Sequence, residues 1–382
     1  MRKVFFQPAG KIHPSQYQLF DYPPEGYEFV LGSNKLDKLV KNPLMFDKIR
    51  LKVLDRLLPL NLAKAYIDKL VVKIPEDIDL LYTYNLISPR DIPYVVNVEW
   101  SHVLVGRELY WFKLWRGLIE KHLKSNNCKK ILTWTNAARK SILQHYNFED
   151  FWEKIEVIPP AFPRKEFLKP QNDGKVRILF IGSMNQAGDF YEKGGRDMLK
   201  VFESLKSKYN IELTIRAKLP SGVKLVDGVT LIERFLSKEE LDELYKRSDI
   251  FFFPTHLFQN TVVIEAMSYG LPVITTSVGS SLGEYVKDQS TGIVIDNIKD
   301  NPYFKNGFLV TETTQRHKLV EAAQRTSKRV LDELTYALES LIKNYQLRRK
   351  LGSNAKWEVD FGRFSIENRN KKLKEIFDVA IS

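Results

Sequence analysis

Only one cysteine, Cys128, occurs in the chain. An internal disulfide, a cysteine-rich zinc site and a cysteine-held iron–sulfur cluster are therefore excluded. No apolar run approaches the ~18 residues that a membrane-spanning helix needs. The opening stretch MRKVFFQPAGKIHP reaches Gln7 and Pro8 too early to hold the apolar core of a secretory signal. Internal repeats, low-complexity tracts, zinc-finger spacings and aromatic–glycine RNA-binding signatures are missing as well, so nucleic acid is not an expected partner. The expectation is a cytoplasmic protein, soluble or peripheral on the cytoplasmic face of the membrane.

What is present suits a folded protein of two or three domains. The chain has 382 residues, 43% hydrophobic and 28% charged, ordinary proportions for a soluble globular protein. The net charge is +12. It is unevenly spread: residues 1–165 hold 26 basic and 18 acidic side chains, and residues 166–382 hold 33 and 29. A basic face suits an anionic membrane surface or a phosphorylated small molecule.

Short apolar runs alternate with longer amphipathic stretches, the pattern of an α/β protein with parallel sheets. In the first half the runs at 3–7, 27–31, 80–84, 94–99, 130–134 and 155–158 predict strands. Helices are expected at 34–53, 61–73, 105–124 and 136–146. The stretch IPPAFPRKEFLKPQNDGK, residues 158–175, carries four prolines, which remove backbone donors and fix φ. It reads as an interdomain linker. Beyond it the alternation resumes, with strands expected at 176–182, 211–217, 230–232, 249–253, 272–275 and 292–295. Residues 318–350 and 366–380 read as helical. Ligands of open parallel sheets bind at the carboxyl ends of the strands, so a cleft between two such edges is the expected site.

Two segments of the second half carry chemistry. VRILFIG ends at Gly182, and Ser183 opens a polar loop to GDFYEKGGRDML. A strand, a loop and a helix start together make an anion site, to which Lys193 adds a point charge and Gly194 close backbone approach. In FFFPTHLFQNTVVIEAMSYGLPVITT, Glu265 lies among apolar neighbours, where a carboxylate needs partners. Ribose hydroxyls or an internal salt bridge would both serve.

The pieces ILFIGS…EKGG, LSKEELDELYKRSDIFFFPT, VVIEAMSYGLPVITTSVGSSLGEYV and TGIVI together resemble the retaining glycosyltransferases of family four, the group 1 glycosyl transferases. The run EAMSYGLPVI is the most specific part. The resemblance implies the GT-B fold: two Rossmann-like domains facing each other across a cleft, with a C-terminal helix returning to the first. The implied domains are an acceptor domain at 1–165, a nucleotide-sugar domain at 166–352 and a closing helical segment at 353–382. The implied reaction moves a sugar from a nucleoside diphosphate sugar, of the UDP or GDP type, to a glycan or lipid-linked acceptor hydroxyl. No cofactor is expected, and no metal, in keeping with the lack of an Asp-x-Asp at a strand end.

On the donor side the resemblance implies Gly182, Ser183, Lys193 and Gly194 at the diphosphate, Glu265 at the ribose, and the loop Phe258, Gln259, Asn260 and Thr261 near sugar and phosphates. Ser183 replaces the family's usual arginine, for which Arg216 could compensate. Leu257 stands where the first glutamate of the Glu-x7-Glu motif belongs, and the adjacent His256 is the candidate substitute. Glu99 takes roughly the position of a histidine near the reacting carbon and is the second catalytic candidate. Gly10, Lys11 and His102 are the acceptor-side candidates. The transition state is expected to be oxocarbenium-like, with Lys193 and helix-terminal N–H groups stabilising the departing diphosphate. Residues 107–124 mix Tyr110, Trp111, Trp115, Leu118 and Ile119 with lysine and arginine, the composition of an interfacial helix, and so predict contact with an anionic membrane. Loss of the glutamate at 257 leaves open a degenerate GT-B protein that binds nucleotide sugar or glycan without transfer.

Overall fold

The computed structural model describes residues 1–8, 16–32, 57–106, 108–147, 151–169, 173–257, 260–278, 281–297, 299, 301, 304–305, 308–309 and 316–382. The helix expected at 34–53 lies outside them. Two compact units emerge. One is built from Met1–Pro160 and Ile366–Ser382, the other from Ala161–Val310 and His317–Ser365.

The first unit holds β1 (Arg2–Gln7), β2 (Tyr27–Leu31), β3 (Leu80–Tyr84), β4 (Tyr94–Asn97), β5 (Cys128–Thr133) and β6 (Ile155–Val157), all parallel in the order β2-β1-β3-β4-β5-β6. These strands read as unbroken apolar runs because helices cover both faces. Phe5, Leu81, Val96 and Ile131 form one face, packed with Leu62, Phe112, Ile119 and Leu123 from the helices Leu60–Val71 and Leu109–Lys124. Val4, Phe6, Tyr82 and Leu132 form the other, covered by Leu373, Ile376 and Phe377 of the helix Ile366–Ile381. Phe377 is fully buried and meets Tyr27 edge-on at 5.2 Å, a burial worth about 1.5–3 kcal/mol. The Tyr27 hydroxyl donates to Asp378 Oδ1 at 2.6 Å, and Arg369 Nη2 donates to the carbonyls of Gln18 and Tyr22 at 3.0 and 2.6 Å.

The second unit holds β7 (Val176–Ile181), β8 (Ile211–Arg216), β9 (Val229–Ile232), β10 (Ile250–Phe253), β11 (Val273–Thr276) and β12 (Gly292–Ile295), again parallel, in the order β12-β11-β10-β7-β8-β9. The winding reverses between β7 and β10, and such a switch point leaves a crevice at the strands' carboxyl ends. The expected helical stretch 318–350 is divided into Arg316–Ala323, Lys328–Lys343 and a third helix, Tyr345–Asp360. Side-chain caps explain the breaks: Ser327 accepts from the Val330 amide and Asn344 from the Leu347 amide, at 3.4 and 2.9 Å. The third helix runs straight through residue 353, so 353–360 folds with the second unit. It is seated at Gly352, where a Cβ would lie 2.2 Å from the Gly270 carbonyl oxygen.

Candidate functional site

The site grows from the two loops that flank the switch point. β7 ends against β8, with the Gly182 amide donating to the Arg216 carbonyl at 2.8 Å. A Cβ on Gly182 would stand 2.7 Å from that of Ala217, so the strand exit admits no side chain. The following loop passes through the short helix Asp189–Glu192 to Lys193 and Gly194, and the helix Gly195–Lys206 begins. Gly194 has φ +78°, and a Cβ there would lie 2.0 Å from the Pro254 carbonyl oxygen, in the loop after β10. That loop is stitched to the first: the His256 amide donates to the Glu192 carbonyl at 2.9 Å, and the Thr255 hydroxyl to the same oxygen at 3.3 Å.

Lys193 is half-buried. Burial lowers its pKa, against the pull of the Asp189 and Glu192 carboxylates. Arg216, also half-buried at the end of β8, lies 5.6 Å from the Phe235 ring centre, and its charge acts on both Lys193 and Glu265. Glu265 projects from the helix Val262–Ser268. Its Oε2 accepts from the Tyr245 hydroxyl at 3.1 Å, and Oε1 has no hydrogen-bond partner among the described residues. Burial raises the Glu265 pKa, while the Tyr245 hydrogen bond and the charges of Lys165 and Arg216 oppose the shift. A half-buried carboxylate with one open oxygen is suited to accept from a ligand hydroxyl. Lys193 and Arg216, which act on each other, are suited to an anion.

Gly182, Lys193, Gly194, Arg216 and Glu265 thus sit together on one edge of the second unit. Ser183 is beside them, its hydroxyl accepting from the Asn185 amide at 3.1 Å. Asn260 turns back on its own loop, donating to the Leu257 carbonyl at 2.9 Å, and Thr261 takes the N-cap position of the Glu265 helix. Phe258 and Gln259 lie outside the described residues, as do Gly10 and Lys11. His256 is buried, with Nε2 3.1 Å from Asp197 Oδ2, which also accepts from the Thr326 hydroxyl at 2.6 Å. Its ring braces the loop from below. Glu99 belongs to the first unit, just past β4, where Tyr84 Oη donates to Oε1 at 2.5 Å and Asn85 Nδ2 to Oε2 at 3.0 Å. His102 is buried in the one-turn helix Ser101–Leu104 of the same unit.

Sequence reasoning missed Tyr245 and Asp197. Tyr245 lies in KEELDELYKRS, whose apolar spacing marks it only as core. Asp197 follows the glycine pair as an ordinary first-turn acid. Neither spacing signals the partner each one holds.

The aromatic helix Leu109–Lys124 is divided. Phe112, Ile119 and Leu123 are buried in the core, and Trp111 and Leu118 pack partly against it. Tyr110, Leu114 and Trp115 are exposed beside Lys113 and Arg116. Leu70 (83% exposed), Ile67 and Val71 are bared on the helix Leu60–Val71, joined to its neighbour by a hydrogen bond of 2.8 Å between the Tyr66 hydroxyl and His122 Nε2. Among the described residues no helix is long and apolar enough to cross a membrane, and no group of three or more His, Cys, Asp or Glu side chains is arranged to hold a metal ion.

Residues 175–325, the span containing this site, match the family described as glycosyl transferases group 1. An uncharacterised glycosyltransferase of Methanocaldococcus jannaschii is 24% identical over 286 residues, 68% of this chain but only 63% of the relative's length. Among solved structures, Anabaena HepE in complex with UDP and glucose superposes with a TM-score of 0.60 at 13% identity, covering 99% of this chain and 100% of HepE. Sucrose-phosphate synthase from Thermosynechococcus elongatus gives 0.64 at 13% identity, with 99% of each chain covered. At such identities the likeness concerns the fold, which is GT-B: two α/β domains, each on a parallel six-stranded sheet.

Proposed function

We propose that this chain, whose residues 175–325 match the group 1 glycosyl transferases within a GT-B fold, moves a sugar from a nucleoside diphosphate sugar to an acceptor hydroxyl. The observation that carries the reading is the grouping of Lys193, Arg216 and Glu265 around the switch point of the second sheet. In this reading the open Oε1 of Glu265 accepts from the ribose, and Lys193 with Arg216 meets the diphosphate. Charge builds on the diphosphate as the glycosidic bond breaks, so fixed cations lower the barrier more than they tighten the ground state. The sugar leaves with retained configuration, without a metal, and the departing phosphate takes the acceptor proton. The acceptor is a glycan or a lipid-linked glycan, and the bared Ile67, Leu70, Leu114 and Trp115 with their lysines hold the protein at an anionic membrane. Neither His256, engaged with buried Asp197, nor Leu257 offers a carboxylate to the sugar. That observation favours a second reading, a binding protein that does not transfer.

Calorimetry with UDP, GDP and their sugars on the wild type and Glu265→Ala tests the donor site. Binding of one nucleoside diphosphate, weakened by the substitution, is the expected result. No binding by folded protein would overturn the proposal. Bound donor that is neither transferred nor hydrolysed would favour the second reading.

A further inference from the structure

A cavity of about 250 Å³ opens at the opposite edge of the second unit's sheet, where chain segments enter the strands. Lys175 and Arg177 at the start of β7, Asp249 before β10 and Pro272 before β11 line it. Lys193 and Arg216 stand at the other end of the same strands, and none of Lys193, Arg216 and Glu265 lines the cavity, which is therefore distinct from the site above although Tyr245 and Tyr269 connect the two.

Eight of its lining residues are cationic and one, Asp249, is acidic. Five cations are engaged by carboxylates around the rim: Lys175 by Glu212, Arg177 by Asp173, Lys246 and Arg247 by Glu243, and Lys356 by Asp360. The other three have neutral partners. Lys169 Nζ donates to the Ser248 carbonyl at 3.1 Å. Arg348 Nη1, on a side chain only 8% exposed, donates to the carbonyls of Leu341 and Ile342 at 2.5 and 2.8 Å. The Arg349 guanidinium lies 6.0 Å from the Tyr345 ring centre. The cavity therefore keeps an excess of positive charge over Asp249.

The placement of one of these cations, Arg349, opposes a folding rule. A helix start carries a partial positive charge and favours acids. The helix Tyr345–Asp360 has no acidic residue in its first turn, and Arg348, Arg349 and Lys350 follow at once. Arg348 also serves the preceding helix, because the Leu341 and Ile342 carbonyls belong to the last turn of Lys328–Lys343; Arg349 has no such duty. A bound anion would meet the helix dipole together with guanidinium groups that no carboxylate neutralises.

The geometry points to a second binding site, for a small anion bearing phosphate groups, with Arg348 as a fixed cation and Arg349 and Lys169 reaching from the rim. The volume falls below the about 300–1,000 Å³ of pockets for drug-sized ligands, so the occupant is compact. Its phosphate belongs to a free metabolite or to a lipid headgroup.

The test titrates inorganic pyrophosphate into the full chain by calorimetry. Lys193→Ala removes the donor-side cation, and binding at the cavity survives it. Lys169→Glu combined with Arg349→Glu, both at exposed positions, weakens the binding at least about ten-fold. Circular dichroism and a thermal melt establish that the double variant is folded. A second arm uses phosphatidylglycerol vesicles. Retention on vesicles, lost in the double variant, with no pyrophosphate binding, keeps the site and assigns the phosphate to a lipid. Pyrophosphate binding abolished by Lys193→Ala and untouched by the double variant overturns the proposal, as does a lack of binding in both arms.

Discussion

Gly194→Ala is the most demanding test of how the Lys193–Gly194 loop is built. Two costs add at this position. An L-residue held at φ +78° loses about 1–2 kcal/mol relative to glycine. The new methyl would also begin 2.0 Å from the Pro254 carbonyl oxygen, against backbone that cannot swing aside. Relieving that contact moves one loop by roughly 1 Å, an overpacking strain of about 1–3 kcal/mol. Together these give about 2–5 kcal/mol. For a domain of this size each kcal/mol lowers the melting temperature by about 2–4 °C, so a drop of about 4–20 °C is expected by differential scanning calorimetry. Gly188→Ala is the matched control. Its backbone is right-handed helical, nothing lies within 4 Å of a Cβ there, and it should melt within about 2 °C of the wild type. The same shift displaces Lys193, so nucleotide binding falls with stability. If Gly194→Ala melted with the control, the close approach of the two loops would be wrong.

Other expectations concern charge. Lys193→Met should weaken nucleoside diphosphate binding by about 10–100-fold and leave nucleoside binding unchanged, the worth of one charged hydrogen bond; equal losses for both ligands would remove Lys193 from the phosphates. Burial raises the Glu265 carboxyl in the folded protein, so its contribution to folding is complete below the unfolded value and is lost as pH rises through the folded one. Glu265→Gln cannot ionise, and its melting temperature relative to wild type should climb as pH rises above the ordinary glutamate value of about 4.3; a pH-independent difference would contradict the burial. Asp197→Ala leaves His256 and Thr326 without their buried acceptor and should cost about 1–3 kcal/mol in chemical denaturation, more than Thr326→Val. Leu70→Glu with Leu114→Glu should release the protein from anionic vesicles in co-sedimentation without lowering its melting temperature, since both side chains are exposed.

Much of this architecture is legible in the sequence because covered parallel sheets need unbroken apolar strands. The runs at 27–31, 80–84 and 155–158 fall on β2, β3 and β6 to within a residue. The glycines of the site were readable for a related reason: at Gly194 backbone must pass backbone, and at Gly182 a strand end closes on the Ala217 side chain. Partnerships across the fold were not readable. Tyr245 reaches Glu265 from another helix, and Asp197 reaches His256 across 59 residues, contacts that no local period encodes. The division at Asn344 was missed for a different reason. Helical spacing continues on both sides, and only the capping hydrogen bond reveals that one helix ends and another starts.

The helix Ile366–Ile381 gives this protein an order of assembly. A ribosome delivers the strands of the first sheet early, but the side chains that seal one of its faces, Leu373, Ile376 and Phe377, arrive only after the whole second unit. Until then Val4, Phe6, Tyr82 and Leu132 wait uncovered, an aggregation hazard that lasts as long as translation of the intervening residues. The second unit carries no such debt and can finish first. Expressed apart, residues 161–365 should therefore be the soluble fragment, and residues 1–160 should need the 366–382 peptide supplied in trans.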